Sequence, residues 1–91
     1  MEEWDCIGFV CASRYRTRIV GFLLRQSNTP SVISRETNIK ISHVSRALNQ
    51  LEERKIVECL TPNRLKGRIF GLTSRGISIA KKIAQGTRKK N

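Results

Sequence analysis

Apolar residues return every three or four positions in three stretches of this 91-residue chain, and helix-stopping residues separate them. The first stripe is Tyr15, Ile19, Phe22 and Leu23, behind Ser13 as N-cap, and it predicts a helix through Gln26. Arg14, Arg18, Gly21 and Arg25 fall on its opposite face. Ser27-Asn28-Thr29-Pro30 ends that helix, because Pro30 steers the residue before it away from helical dihedrals. Thr29 then caps a short second helix, Pro30 to Thr37, in which the missing N–H of Pro30 costs nothing and Val32 and Ile33 turn inward. Asn38-Ile39-Lys40 is a turn, since asparagine tolerates left-handed backbone. A third helix, capped by Ser42 and running to Arg54, buries Val44, Ala47, Leu48 and Leu51.

Beyond Arg54 the pattern changes. Val57 to Thr61 reads as a strand, Pro62 to Gly67 as a turn-rich basic loop, and Arg68 to Leu72 as the returning strand. Thr73 caps a last helix carrying Ile77, Ile79, Ala80, Ile83 and Ala84, which Gly86 stops before a basic tail at 87–91. Residues 1–12 begin acidic and turn apolar; Trp4, Ile7, Phe9 and Val10 are too hydrophobic for a free tail. That segment forms a short helix or an extended arm, seated on the body or on a second subunit. The order predicts an α+β winged helix-turn-helix of about four helices with a two-stranded β-hairpin wing, in one domain over 13–86.

Charge sharpens this picture. Eighteen Lys and Arg against seven Asp and Glu give a net charge of +11. Glu2, Glu3 and Asp5 sit at the start, so residues 6–91 carry all eighteen cations against four acids, or +14. Such an excess favours a polyanionic partner. Cys6, Cys11 and Cys59 have no CxxC pair and read as reduced thiols of an intracellular protein. The acidic start is unlike a signal peptide, and the apolar runs are too short to span a bilayer. The expectation is a cytoplasmic, nucleoid-associated protein with no membrane partner.

On a helical wheel the outward side of the third helix carries Ser42, Ser45, Arg46, Asn49 and Glu53, flanked by His43 and Gln50. Arginine suits guanine, asparagine and glutamine suit adenine, and serine suits either, so this face is equipped to read base edges. A solvated helix face would look similar taken alone. The second helix presents Thr29, Ser31 and Ser34 near its N-terminal end, with Arg35 close by, where exposed N–H groups favour phosphate. The loop between the strands bears Asn63, Arg64, Lys66 and Arg68 and no acid, suiting it to the phosphate backbone or a minor groove. Lys40, in the turn, completes the DNA-facing set.

Catalysis finds no support. His43 has no acid or cysteine at helical spacing and no second metal ligand four residues away. Glu52 and Glu53 are neighbours, about 100° apart on a helix, and cannot act as a general acid–base pair. No glycine loop suited to phosphate is present. No enzyme activity, cofactor, metal site or small-molecule effector is expected.

The chain from Ser13 to Ile83 resembles a winged helix-turn-helix domain of the broad class that includes MarR-like and ArsR-like prokaryotic transcriptional regulators. The matching segments are TPSVISRETNIKISHVSRALNQLEERKIVE and the wing TPNRLKGRIFGLTSRG. The opening, with Trp4, Gly8, Phe9, Val10, Ser13, Tyr15 and Arg16, is similar to that of small archaeal regulators. The resemblance implies a third helix in the major groove, with Ser42, His43, Ser45, Arg46, Asn49 and Gln50 on bases and phosphates. Arg64, Lys66 and Arg68 would serve the wing. The recognition-helix cysteine motif of the metal sensors is absent, since Ile41-Ser42-His43-Val44-Ser45 stands there.

The function so predicted is a sequence-specific double-stranded DNA-binding transcriptional regulator, acting as a homodimer. Trp4, Ile7, Phe9 and Val10, with Ile79 and Ile83, are the expected subunit contact. The alternatives are a winged helix used as a protein-interaction module and a nonspecific architectural nucleic-acid-binding protein.

Overall fold

The computed structural model describes residues 2–88, with the side chains of 4–85. The elements run α1 (Glu2–Cys11), α2 (Arg14–Arg25), α3 (Pro30–Thr37), α4 (Ile41–Glu53), β1 (Val57–Cys59), β2 (Phe70–Leu72) and α5 (Ser74–Arg88). This is an α+β winged helix-turn-helix, with α3 and α4 as the helix-turn-helix and the β1–β2 hairpin as the wing. The segment 1–12, left open between helix and arm, supplies the additional helix.

Capping explains several boundaries. Ser13 accepts a hydrogen bond from the Arg16 N–H and starts α2, while Thr29 accepts from the Val32 N–H and starts α3. Each cap satisfies one donor that the first helical turn leaves unpaired. Asn38 ends α3 with φ 59° and ψ 38°, the left-handed conformation expected of it. Thr73 Oγ1 accepts from the Gly76 N–H and caps α5.

Four boundaries differ from the sequence reading, the start of α4, the end of β1, the start of β2 and the end of α5. The cap position of α4 is Lys40, whose carbonyl accepts from the His43 and Val44 N–H groups, with no side-chain cap. The tight turn drives Ile39 into the core, so the chain is already helical at Ile41 and Ser42 lies in the first turn, exposed. The strands are shorter than Val57–Thr61 and Arg68–Leu72: past Cys59 the Ile69 N–H donates to the Thr61 side chain rather than to a backbone carbonyl. Gly86 does not stop α5, which runs on to Arg88; a single glycine inside a helix costs only about 1 kcal/mol. The rest of the expected tail, 89–91, lies outside the described residues.

The core is aliphatic. Ile19, Ile33, Leu48, Leu51, Ile56 and Ile79 are fully buried, joined by Val10, Val20, Val44 and Val57. Cys6 and Val10 carry α1 into this core, where it packs on α2 and α5. Tyr15 departs from the stripe assigned to it, because it is partly exposed and stacks on His43.

The hairpin is antiparallel, with Val57 opposite Leu72, Glu58 opposite Gly71 and Cys59 opposite Phe70. Asn28 adds a bridge on its outer edge: its N–H donates to the Phe70 carbonyl at 3.1 Å, and the Phe70 N–H donates back at 2.8 Å. The linker between α2 and α3 is thereby fastened to the wing, which fixes the helix-turn-helix relative to the hairpin. Gly71 lies beneath this crossing, where a Cβ would collide with the Ser27 side chain.

Candidate nucleic-acid interface

Burying Val44, Ala47, Leu48 and Leu51 on one side of α4 leaves Ser42, Ser45, Arg46 and Asn49 exposed on the other. These four sit within one face because residues three and four apart share a side of a helix. Glu53, the last helical residue, stands at the far end of that face, and the exposed Glu52 lies along its edge about two turns beyond Ser45.

Two clefts border this face. The first lies between α4, the start of α3 and the wing, holds about 460 Å³, and is lined by Thr29, Ser31, Ser45, Lys66 and Arg68, with Leu65 at its edge. The second, of about 270 Å³, separates α4 from α2 and is lined by Tyr15, Arg16, His43, Arg46 and Gln50. No acidic side chain lines either one. The helix, its two clefts and the wing base therefore form one surface in which polar and cationic groups surround the apolar Pro30, Ile41, Leu65 and Phe70 of the wing-side cleft.

The expected DNA-facing residues divide into two sets in this geometry. Ser31, Lys40, Ser42, Ser45, Arg46, Asn49, Asn63, Arg64, Lys66 and Arg68 are exposed. Among these, Arg64 and Arg68 also hydrogen-bond within the wing, and the residues of the second set are engaged with the body of the protein. Ser34 donates to the Ile39 carbonyl at 2.5 Å and closes the turn, and Thr29 is occupied as the cap of α3. Gln50 accepts from Arg16 at 3.0 Å, while His43 stacks on Tyr15 with ring centroids 4.7 Å apart. Arg35 is exposed but pairs with its neighbour Glu36 at 3.6 Å, an arrangement worth little in water.

The wing tip is held by its own side chains. Arg64 Nη1 donates to the Gly67 carbonyl at 3.3 Å, and Arg68 Nε donates to the Arg64 carbonyl at 2.9 Å.

The expected subunit contact needs correction. Val10 and Ile79 are fully buried inside this chain and cannot meet another molecule. Phe9 is clasped between two guanidiniums, Arg16 at 3.9 Å and Arg54 at 4.1 Å from its ring centre. Trp4, in contrast, is 74% exposed.

The role of Arg16 was not read from the pattern of the residues. Its position at the margin of the α2 apolar stripe was the available signal, since a long cationic side chain there can reach across to a neighbouring helix. Among the described residues, no group of three or more His, Cys, Asp or Glu is placed to hold a metal ion, and no helix is long and apolar enough to cross a membrane.

No protein-family model matches the chain, and no curated protein matches it in sequence. Solved structures do match in fold. ZitR of Lactococcus lactis, in complex with DNA, aligns with a TM-score of 0.72 at 24% identity, over 82% of this chain and 52% of its own. A second structure of that protein, described as a zinc-responsive MarR family member, aligns at 0.72 and 23% identity, over 85% of this chain and 54% of its own. The adhesin competence repressor AdcR of Streptococcus pyogenes aligns at 0.75 and 18% identity, over 85% of this chain and 58% of its own. The chain thus has the winged-helix fold of MarR-family regulators and spans just over half the length of these structures.

Proposed function

We propose that this protein binds double-stranded DNA as a transcriptional regulator, with α4 in the major groove and the wing on the adjacent backbone or minor groove. The observation that carries the reading is the polar and cationic surface running from Arg46, across Ser42, Ser45 and Asn49, to Lys66 and Arg68, with no acid lining either cleft beside it. Arg46 and Asn49 read base edges, Ser42 and Ser45 contact bases or phosphates, and Asn63, Arg64, Lys66 and Arg68 follow the backbone. Ser31 and Lys40 add phosphate contacts. Thr29, Ser34, Gln50 and His43 act mainly by holding α3 and α4 in place. The net charge of +11 supplies long-range attraction. A DNA-bound structure among the fold relatives supports the same reading.

The protein acts at the nucleoid in the cytoplasm as a homodimer, placing two copies of α4 about 34 Å apart on a two-fold site. The reading includes no enzyme activity, metal or effector.

Competition titrations of labelled duplexes at several salt concentrations test it. A regulator prefers one selected sequence over its scramble by about a thousandfold or more, and its affinity falls steeply with salt. Weak, salt-insensitive binding would instead identify a protein-interaction module. A steep salt slope without sequence preference would identify an architectural protein.

A further inference from the structure

Leu65 is 93% exposed at the apex of the wing, the highest exposure among the large hydrophobic side chains described. A leucine on a floppy loop could fold back onto the body, but this apex is braced. The two arginine hydrogen bonds, Arg64 to the Gly67 carbonyl and Arg68 to the Arg64 carbonyl, both span the Leu65–Lys66 pair. Gly67 closes the loop with φ 66°, a left-handed conformation that glycine adopts without strain. The braced loop holds the apolar side chain outward.

Its surroundings specify what it meets. Arg64, Lys66 and Arg68 flank it, and no acidic residue follows Glu58 anywhere in the chain. Leu65 also edges the cleft that Ser31 and Ser45 line on the helix-turn-helix side. An apolar tip ringed by cations fits a partner with an anionic rim and an apolar interior. The minor groove has that chemistry, with phosphates on its edges and stacked bases inside. A bilayer surface is a poorer fit, since such binding needs a broad apolar face and the tip offers one leucine.

We propose that Leu65 is a wedge that enters the minor groove, partly unstacks a base step and bends the duplex. The inference rests on the duplex-binding reading above and extends it from holding DNA to deforming it. The cationic neighbours seat the tip on the phosphates, and the leucine then separates the bases at a flexible pyrimidine–purine step.

The test uses the full chain and end-labelled duplexes of about 30 base pairs with central TA steps, followed by energy transfer between the ends. A 2-aminopurine beside the step reports unstacking. Wild type is expected to bend the duplex by roughly 20–90° and to brighten the 2-aminopurine. Leu65→Ser should bind within about tenfold of wild-type affinity, yet lose both signals, while Leu65→Phe should keep them. Circular dichroism checks that each variant is folded.

Equal bending by Leu65→Ser would overturn the wedge while leaving duplex binding intact. Binding to anionic vesicles that survives at DNA-binding salt and disappears in Leu65→Ser would overturn it in favour of a lipid contact. Failure of the wild type to bind any duplex would overturn the wedge together with the reading beneath it.

Discussion

Arg16 on α2 donates to the side-chain carbonyl of Gln50 on α4 at 3.0 Å, bringing together residues 34 positions apart. The same guanidinium donates through Nε to the Phe9 carbonyl at 2.8 Å and lies over the Phe9 ring. One side chain therefore links α1, α2 and the proposed reader helix. Charged donors form stronger hydrogen bonds than neutral ones, and the pair is partly shielded from water.

Arg16→Ala should accordingly lower stability by about 2 kcal/mol in urea unfolding. Gln50→Ala should cost less, about 1 kcal/mol, because Arg16 retains Phe9. If Gln50 works mainly through Arg16, Gln50→Ala will weaken all duplexes by a similar factor and leave the order of sequence preference unchanged. A change of preferred base in a selection experiment would show instead that Gln50 reads the groove.

Arg46 and Arg64 should respond differently to removal. Arg46 stands on the exposed face of α4, and Arg46→Ala should weaken the preferred site by about 1–3 kcal/mol and relax its sequence preference. Arg64 is exposed at the wing; Arg64→Ala should weaken every duplex about equally and reduce the salt slope by roughly one unit. Binding isotherms at several salt concentrations separate the two roles, and indistinguishable variants would contradict them.

Much of this arrangement was legible in the sequence because the decisive signals are local. Thr29-Pro30 marks the start of α3 and Asn38 its end, since one cap, one proline and one left-handed residue act through their own backbone. The inward set of α4 followed from helical period alone. The less legible features depend on partners distant in sequence. Asn28 looks like loop until Phe70 comes alongside it, and Tyr15 looks like core until His43 gives its ring another surface. Arg16 reaches Phe9 and Gln50 only after three helices have packed. Ser42 is a reasonable cap by residue type, but burial of Ile39 sets the start of α4.

Two glycines should prove intolerant of a methyl group, and a third should welcome one. A Cβ at Gly76 would run into the Ile56 carbonyl, which is also the acceptor for the Thr73 N–H, so neither group can easily move. Gly76→Ala is expected to cost about 1–3 kcal/mol or more, as overpacking of a tight contact does. Gly71→Ala should cost toward the lower end, since the obstructing Ser27 is a short, exposed side chain. Gly21 is exposed within α2 and has nothing within 4 Å of its would-be Cβ, so Gly21→Ala should stabilise by about 0.5–1 kcal/mol. Thermal unfolding of the three variants side by side checks the ordering.

The junction between α4 and the wing makes a further prediction. Lys55 has φ 64°, a left-handed conformation that a non-glycine residue adopts at a cost. The helix end requires it there: the Ile56 N–H returns to the Leu51 carbonyl and the Lys55 N–H to the Glu52 carbonyl, the paired closure of a Schellman turn. Thr73 Oγ1 donates to the Lys55 carbonyl at 2.6 Å and holds the turn against the start of α5. Lys55→Gly relieves the conformational cost and should be neutral or stabilising by up to about 1 kcal/mol, whereas Lys55→Val should destabilise, because a β-branched residue resists this region. Lys55 is exposed and stands outside both clefts of the proposed interface, so Lys55→Gly should also leave duplex affinity within about twofold, apart from one lost surface charge. Urea midpoints and duplex titrations on the two variants measure both effects; stabilisation by valine would contradict the assignment of strain to this residue.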